Sequence, residues 1–173
     1  MPRRKPQKQP PAEFVKELSE WLGRAFIAAT TMEHLLGVTI ADMMKVNRMQ
    51  HRAFIIPMSF ASKVSLLRQL GREFLTPADR KSLNRHLKEF EDCAERRNSL
   101  AHGLYGTKRG KFALVTFSGE GRFSGQAVAW HPSDLRNFVA RIEAANRTFY
   151  HVRQMFPQRL KLPPGRKVAS PLP

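Results

Sequence analysis

Residues 83–104 have the sequence LNRHLKEFEDCAERRNSLAHGL, and the interpretation of the whole chain starts from them. At about 100° per residue, Arg97 lies within roughly 40° of the centre of an apolar stripe on this predicted helix, where an aliphatic residue is expected. Burying an unpaired guanidinium is costly, so Arg97 needs either an acidic partner or a surface that accepts an anion. The stripe consists of residues that recur at spacings of three, four and seven, as in an amphipathic helix: Leu83, Leu87, Phe90, Ala94, Ala101 and Leu104.

The polar residues that follow Arg97 are grouped at the predicted end of this helix. Asn98 and His102 are four residues apart and therefore share one flank of the stripe. Gly103 is expected to take the left-handed conformation that ends many helices. We call residues 97–103 the signature.

The signature resembles the Arg-x(4-6)-His motif of HEPN (higher eukaryotes and prokaryotes nucleotide-binding) domains, in which Asn often follows the Arg, as Asn98 does here. The resemblance covers about residues 12–156. It implies a metal-independent endoribonuclease that acts as a homodimer with a composite site, and it assigns catalytic roles to Arg97, Asn98 and His102. It also implies a role in prokaryotic defence or as a toxin, with an antitoxin or regulator protein as a further partner.

The chemistry of these side chains is compatible with RNA cleavage by attack of a 2′-hydroxyl on the neighbouring phosphate. Such cleavage requires proton transfer and neutralisation of charge on the phosphorane, and it leaves a 2′,3′-cyclic phosphate. His102 is suited to proton transfer, as general acid or as general base. Arg97 offers a bidentate grip on phosphate oxygens, and Asn98 can orient the histidine or the phosphate.

The spacing of Arg97 and His102 predicts a dimer. Residues five apart differ by about 140° around a helix, so one copy presents the two side chains poorly to a single phosphate. A two-fold dimer solves this by supplying a second Arg and a second His. Leu100 and Leu104 are candidates for apolar contact between the copies.

Two other interpretations remain open. In a purely structural one, Arg97 pairs with Glu33 or Glu95, while Asn98 and His102 bond to free carbonyls at the helix end. The alternative function is a non-catalytic HEPN-like RNA-binding or dimerisation module. Glu33 and His34 are also possible supporting residues of the site.

The charge of the chain favours a polyanionic partner. The 173 residues carry a net charge of +16, and residues 11–156 alone hold 22 basic and 14 acidic residues, a net charge of +8. Nucleic acid is the commonest polyanion in the cytoplasm, so we expect RNA binding. In the helix expected to start near Ser59, Lys63 and Arg68 are expected to lie on sides other than the apolar one. The residues predicted to contact nucleic acid are Lys63, Arg68, Arg96, Lys108 and Arg109.

The predicted fold is mostly α-helical, a HEPN-like up-down bundle of four to five helices with a small β-hairpin before the last helix. A disordered basic arm is expected at 1–11, the domain at 12–156, the hairpin at about 111–130 with a Gly-rich turn at 118–124, and a flexible basic tail at 157–173. Ser59 is expected at the start of one helix, and Thr76 followed by Pro77 at the start of the next.

The remaining composition predicts a protein without cofactors. The one cysteine, Cys93, excludes an internal disulfide and fits a reducing compartment. No apolar run is typical of a secretory signal or approaches the roughly 18 residues of a membrane span, so we expect a cytoplasmic protein with no membrane partner. No metal site is expected, because these histidines show no ligand spacing: His34, His51, His86, His131 and His151.

Overall fold

The computed structural model describes residues 10–108, 111–118 and 126–159. These residues are mainly α-helical with a small antiparallel sheet before the last helix, which confirms the predicted fold class. Nearly all of the predicted arm, the hairpin turn and most of the predicted tail lie outside the described residues. No helix within them is long and apolar enough to cross a membrane. The elements in chain order are α1 (Ala12–Met44), α2 (Arg48–Gln50), a π-helical turn (His51–Ile55), α3 (Phe60–Phe74), α4 (Pro77–Ala101), β1 (Leu104–Lys108), β2 (Lys111–Ser118), β3 (Gln126–Trp130) and α5 (Pro132–Arg159).

Helix α1 begins at Ala12, as expected, and continues through a stretch whose sequence has no clear periodicity. The residue after it, Lys45, has a φ of 53°, the left-handed conformation that ends many helices. A reciprocal cap then starts α2. The Asn47 side chain accepts a hydrogen bond from the Gln50 backbone N–H, and the Gln50 side chain accepts one from the Asn47 N–H, both at 2.9 Å.

The predicted start of α3 near Ser59 and the predicted cap of α4 at Thr76 are confirmed. Ser59 Oγ accepts a hydrogen bond from the Ser62 N–H at 3.1 Å. Thr76 Oγ1 accepts one from the Asp79 N–H at 3.2 Å, and Pro77 is the first residue of α4. Each cap satisfies a backbone donor that has no partner within its helix, which fixes where the helix begins.

The sheet has three antiparallel strands in the order β1-β2-β3. The predicted hairpin corresponds to β2 and β3, in which Leu114 pairs with Trp130. Strand β1 was not predicted, because Leu104 continues the spacing of the α4 stripe. In the structure Leu104 instead pairs with Val115 of β2 and is 67% exposed. The chain therefore leaves α4 directly into the sheet.

The expected left-handed conformation of Gly103 is wrong, since its φ lies outside that region. The reason for a glycine is steric. A Cβ on Gly103 would lie 2.8 Å from Cγ of Leu114, which is buried in the sheet. The end of α4 is instead closed by the His102 N–H, which donates to the Ser99 carbonyl at 3.2 Å, and by the Gly103 N–H, which donates to the Leu100 carbonyl at 3.2 Å.

The chain divides into two compact units, and α1, α4 and α5 each contribute residues to both. Unit 1 comprises Met1–Thr31 and Glu91–Ala144, and unit 2 comprises Met32–Phe90 and Ala145–Pro173. The larger apolar side chains of the unit 1 core are Leu18, Leu100, Leu114, Trp130, Leu135, Phe138, Val139 and Ile142. Those of the unit 2 core include Met32, Leu36, Ile40, Val64, Leu67, Leu83, Leu87, Phe90, Phe149 and Phe156.

Within unit 1, an exposed cluster joins α1 to α5. Arg136 donates to a carboxylate oxygen of Glu17 at 3.3 Å. The guanidinium carbon of Arg136 is also 5.2 Å from the ring centroid of Trp21, and that of Arg24 is 4.8 Å from it. Trp21 is therefore flanked by two cations, an arrangement that is attractive because of the negative ring face.

Within unit 2, His86 is buried against the edge of Phe149, with 6.1 Å between the ring centroids. Its Nε2 is inaccessible and has no hydrogen-bond partner. Burial lowers the pKa of His86 from its ordinary value of 6.5; Arg85 lowers it further, and Glu89 acts in the opposite direction. This core therefore favours the neutral imidazole.

Two glycine substitutions should have opposite effects on stability. We expect Gly103→Ala to lower the free energy of unfolding by about 1–3 kcal/mol, because its Cβ overlaps Leu114. Gly23 lies inside α1 with nothing within 4 Å of an added Cβ, so Gly23→Ala should raise it by about 1 kcal/mol through helix propensity. Urea denaturation of both variants measures these changes, and equal effects would contradict the steric role of Gly103.

The buried His86 should make stability depend on pH. Its folded-state pKa lies below the unfolded value, so its contribution is complete above pH 6.5 and is lost as the pH falls from there through the lowered pKa. We expect melting temperature to fall less on acidification in His86→Gln than in the natural protein. His34→Gln, at an exposed histidine, is the control. An unchanged pH response in His86→Gln would assign the effect to other groups.

Candidate functional site

The three polar residues of the signature lie at the C-terminal end of α4, within unit 1. Arg97 and Asn98 belong to the last two helical turns, and His102 is the first residue after the helix. Asn98 and His102 are both exposed. The structure thus places all three at one helix end, with His102 held by the backbone bond to Ser99 described above.

Arg97 lies where the stripe predicted a buried residue and is half-buried. Its guanidinium carbon is 6.0 Å from the ring centroid of Phe26 in α1, at the outer limit of a cation–π contact. Its Nε atom is inaccessible and has no hydrogen-bond partner. Leaving such a donor unsatisfied costs about 1–3 kcal/mol, so its persistence calls for an explanation.

The structural interpretation of the signature does not match these contacts. Among the described residues, no carboxylate forms an ion pair with Arg97, neither Glu33 nor Glu95. The side chains of Asn98 and His102 likewise form no hydrogen bond with the described part of the chain. Asn98, His102 and the exposed part of Arg97 are therefore open to a ligand.

The two possible supporting residues belong to unit 2. Glu33 accepts a hydrogen bond from Lys63 Nζ at 3.0 Å, and His34 is exposed. A supporting role for either residue stays a prediction.

The predicted exposure of Lys63 is wrong. Lys63 is 4% exposed, and its Nζ donates to Glu33 and, at 3.3 Å, to the carbonyl of Ile56. The long aliphatic stem of lysine can lie in an apolar core while the ammonium reaches polar partners. In this position the ammonium is not available to a phosphate.

The other predicted nucleic-acid contacts differ in exposure. Arg96 is exposed at the end of α4, and Arg68 is half-buried and already has an interaction within the protein. Arg109 and the side chain of Lys108 lie outside the described residues. Among the described side chains of unit 1, Arg96 is thus the predicted contact that is open to solvent.

A groove of about 790 Å³ beside the signature was not predicted. It is formed within unit 1 by α4, the last two strands and α5. The part of the groove that the sequence could have indicated is its α4 wall, where residues 92, 95, 96 and 99 recur at helical spacing. Because these residues are polar, the pattern is also typical of a helix face that is exposed to solvent. The groove is lined by Asp92, Glu95, Arg96, Ser99, Thr116, Val128, Ala129, Trp130, Asp134, Asn137, Phe138 and Arg141.

The comparisons add no assignment to this geometry. The chain matches no family model, no curated protein and no solved structure. Within residues 10–108, 111–118 and 126–159, no group of three or more His, Cys, Asp or Glu side chains is arranged to hold a metal ion. The resemblance to HEPN domains therefore rests on the signature, and the candidate site rests on the unpaired side chains at the end of α4.

The pairing of Lys63 with Glu33 gives a test of which cations are structural. Glu33→Gln removes the charge that faces a buried ammonium, so we expect the free energy of unfolding to fall by about 1–3 kcal/mol. The control is Glu17→Gln, which breaks an exposed pair with Arg136 and should change stability by less than about 1 kcal/mol. Denaturant unfolding measures both. Equal losses would show that burial of Lys63 does not depend on Glu33.

Proposed function

We propose that this protein is a metal-independent endoribonuclease of the HEPN type that cleaves RNA as a homodimer. The observation that supports this most directly is Arg97, a half-buried guanidinium with an unsatisfied Nε and no acidic partner among the described residues. It lies on the same helix end as exposed Asn98 and His102. A phosphate would approach the exposed part of Arg97 and supply acceptors for the terminal nitrogens of its guanidinium.

The proposed reaction needs only these side chains and the RNA. The 2′-oxygen bonds to the adjacent phosphorus as it loses its proton, and the bond from phosphorus to the 5′-oxygen breaks. Arg97 neutralises charge on the non-bridging oxygens. His102 protonates the departing 5′-oxygen, and its counterpart in the second subunit accepts the 2′-hydroxyl proton. Asn98 orients the phosphate, and the products are a 2′,3′-cyclic phosphate and a 5′-hydroxyl.

A second copy is part of the proposal because one copy separates the two essential groups. Arg97 packs towards Phe26 and is half-buried, whereas His102 is exposed beyond the helix end. Of the two leucines considered for contact between copies, Leu100 is 2% exposed and belongs to the core of unit 1. Leu104 is 67% exposed and is the one available for such a contact.

Charge supports RNA as the substrate. The net charge of +16 attracts a polyanion at long range, and this attraction does not depend on the nucleotide sequence of the RNA. The resemblance supplies the rest of the proposed setting, which is cytoplasmic action in prokaryotic defence or as a toxin restrained by an antitoxin or regulator protein.

The cleavage test compares the natural protein with Arg97→Ala and His102→Ala on a mixed-sequence RNA in EDTA. Loss of either residue should slow cleavage by at least about 100-fold, the usual size of a general acid–base contribution for His102 and of transition-state charge stabilisation for Arg97. Arg80→Ala, at an exposed arginine of the same helix, is the control and should cleave normally. The product is assayed for the cyclic phosphate.

The same variants distinguish the alternatives. Equal or absent cleavage by all proteins, with RNA binding intact, would favour a non-catalytic binding module. A lower melting temperature in Arg97→Ala without any effect on RNA would favour a structural role. Adding an excess of His102→Ala subunits to a fixed amount of the natural protein should lower its activity if each site needs a histidine from both copies. Unchanged activity would place the whole site within one subunit.

A further inference from the structure

The groove beside the signature has an apolar floor. Trp130 and Phe138 are almost fully buried beneath it, with their ring centroids 5.7 Å apart. The indole N–H of Trp130 donates to Thr116 Oγ1 at 3.1 Å, so the floor leaves no unsatisfied donor there. Val128 is 39% exposed in the groove. Such a floor suits the face of a planar, weakly polar ring system.

Some polar side chains of the groove already form a hydrogen bond or an ion pair within the protein, and others do not. Asp92 faces Arg141 at 3.9 Å, and Asp134 accepts a hydrogen bond from the His131 N–H at 3.0 Å. Three exposed side chains form no hydrogen bond or ion pair with the described residues. These are Glu95, Arg96 and Asn137.

The three available groups define a hydrogen-bonding pattern. The carboxylate of Glu95 only accepts, the guanidinium of Arg96 only donates, and the amide of Asn137 does both. Among the RNA bases, guanine presents two adjacent donors, N1–H and the N2 amino group, which one carboxylate can bind together. It also presents the O6 and N7 acceptors that arginine binds in bidentate fashion. Adenine, cytosine and uracil lack the adjacent donors.

The groove adjoins the signature along α4. Glu95 and Ser99 are four residues apart and share one face of α4. The Ser99 carbonyl accepts the hydrogen bond from the His102 N–H at 3.2 Å, so the groove wall reaches the residue that follows the helix. A base in the groove would therefore leave its own phosphate near the end of α4.

We propose that this groove, which we call the base groove, binds a guanine base of the RNA next to the phosphate that is cleaved. Glu95 binds the N1–H and N2 amino donors, Arg96 binds the acceptor edge, and the ring lies over the apolar floor. The inference rests on the proposed ribonuclease function, and it adds base preference to a reaction that otherwise depends only on the backbone of RNA.

The test measures binding without cleavage. The probes are two 2′-O-methyl pentanucleotides, UUGUU and UUAUU, which lack the attacking hydroxyl. Fluorescence anisotropy of labelled probes gives their dissociation constants for the full-length protein. One bidentate pair discriminates by about 1–3 kcal/mol, so we expect at least about fivefold tighter binding of UUGUU. His102→Ala should show the same preference.

Substitutions then test which residues cause the preference for UUGUU over UUAUU. Glu95→Gln should bind both probes within about twofold of each other, because its amide cannot accept from both guanine donors. Val128→Trp, which places an indole in the groove where the base would lie, should have the same effect. Glu143→Gln removes an exposed carboxylate of α5 that does not line the groove, and it should keep the preference. Thermal melting confirms that each variant is folded.

Each outcome decides the proposal. Equal binding of the two probes by the natural protein, or a preference that survives Glu95→Gln, would overturn it. Tighter binding of free GMP than of UUGUU would overturn RNA as the source of the base. If the natural protein cleaves no RNA but Glu95-dependent preference for UUGUU is found, the ribonuclease proposal fails and the base groove stands. If it cleaves RNA but shows no such preference, the base groove fails alone.

Discussion

A cation that lies on the buried stripe of a helix has to be paired with an acid, hydrated or bound to a ligand. The chain contains two contrasting examples. Lys63 on α3 is almost fully buried, and its ammonium donates to Glu33 and to a backbone carbonyl. Arg97 on α4 is half-buried, with an inaccessible Nε that has no partner. The first cation is explained by the fold alone. The second has no acidic partner among the described residues, and in the proposed function a phosphate binds the exposed part of its guanidinium.

Helix α4 supplies both the signature and one wall of the base groove. Because of the helical repeat, Arg97 and the residues of the groove wall lie on different sides of the helix. The apolar stripe carries Arg97, while residues 92, 95, 96 and 99 point to another side, where the sheet and α5 complete the groove. Strand β1 begins three residues after the helix ends, so the sheet is anchored close to His102. The close approach of Gly103 to Leu114 keeps this connection short. A rigid helix end positions side chains more accurately than a loop would.

Local sequence rules predicted the helices and the hairpin because caps and periodicity act over a few residues. Ser59, Thr76 and the stripe of α1 are examples in which local preference and final structure agree. Strand β1 was missed because Leu104 fits the helical spacing equally well. Lys63 was misplaced because its partner Glu33 is 30 residues away in the chain. The groove was missed because it is formed by four elements, α4, β2, β3 and α5, and the sequence of each element alone gives no sign of it.

The two tryptophans of unit 1 have opposite surroundings. Trp21 is half-buried between the guanidinium groups of Arg24 and Arg136, whereas Trp130 is 8% exposed and hydrogen-bonded beneath the groove. Indole emission shifts to shorter wavelength in a dry environment, so the natural protein carries two spectrally distinct optical reporters. Replacing Trp21 with phenylalanine would leave Trp130, under the base groove, as the single tryptophan, and ligand binding at that site would become visible in its emission without any attached dye.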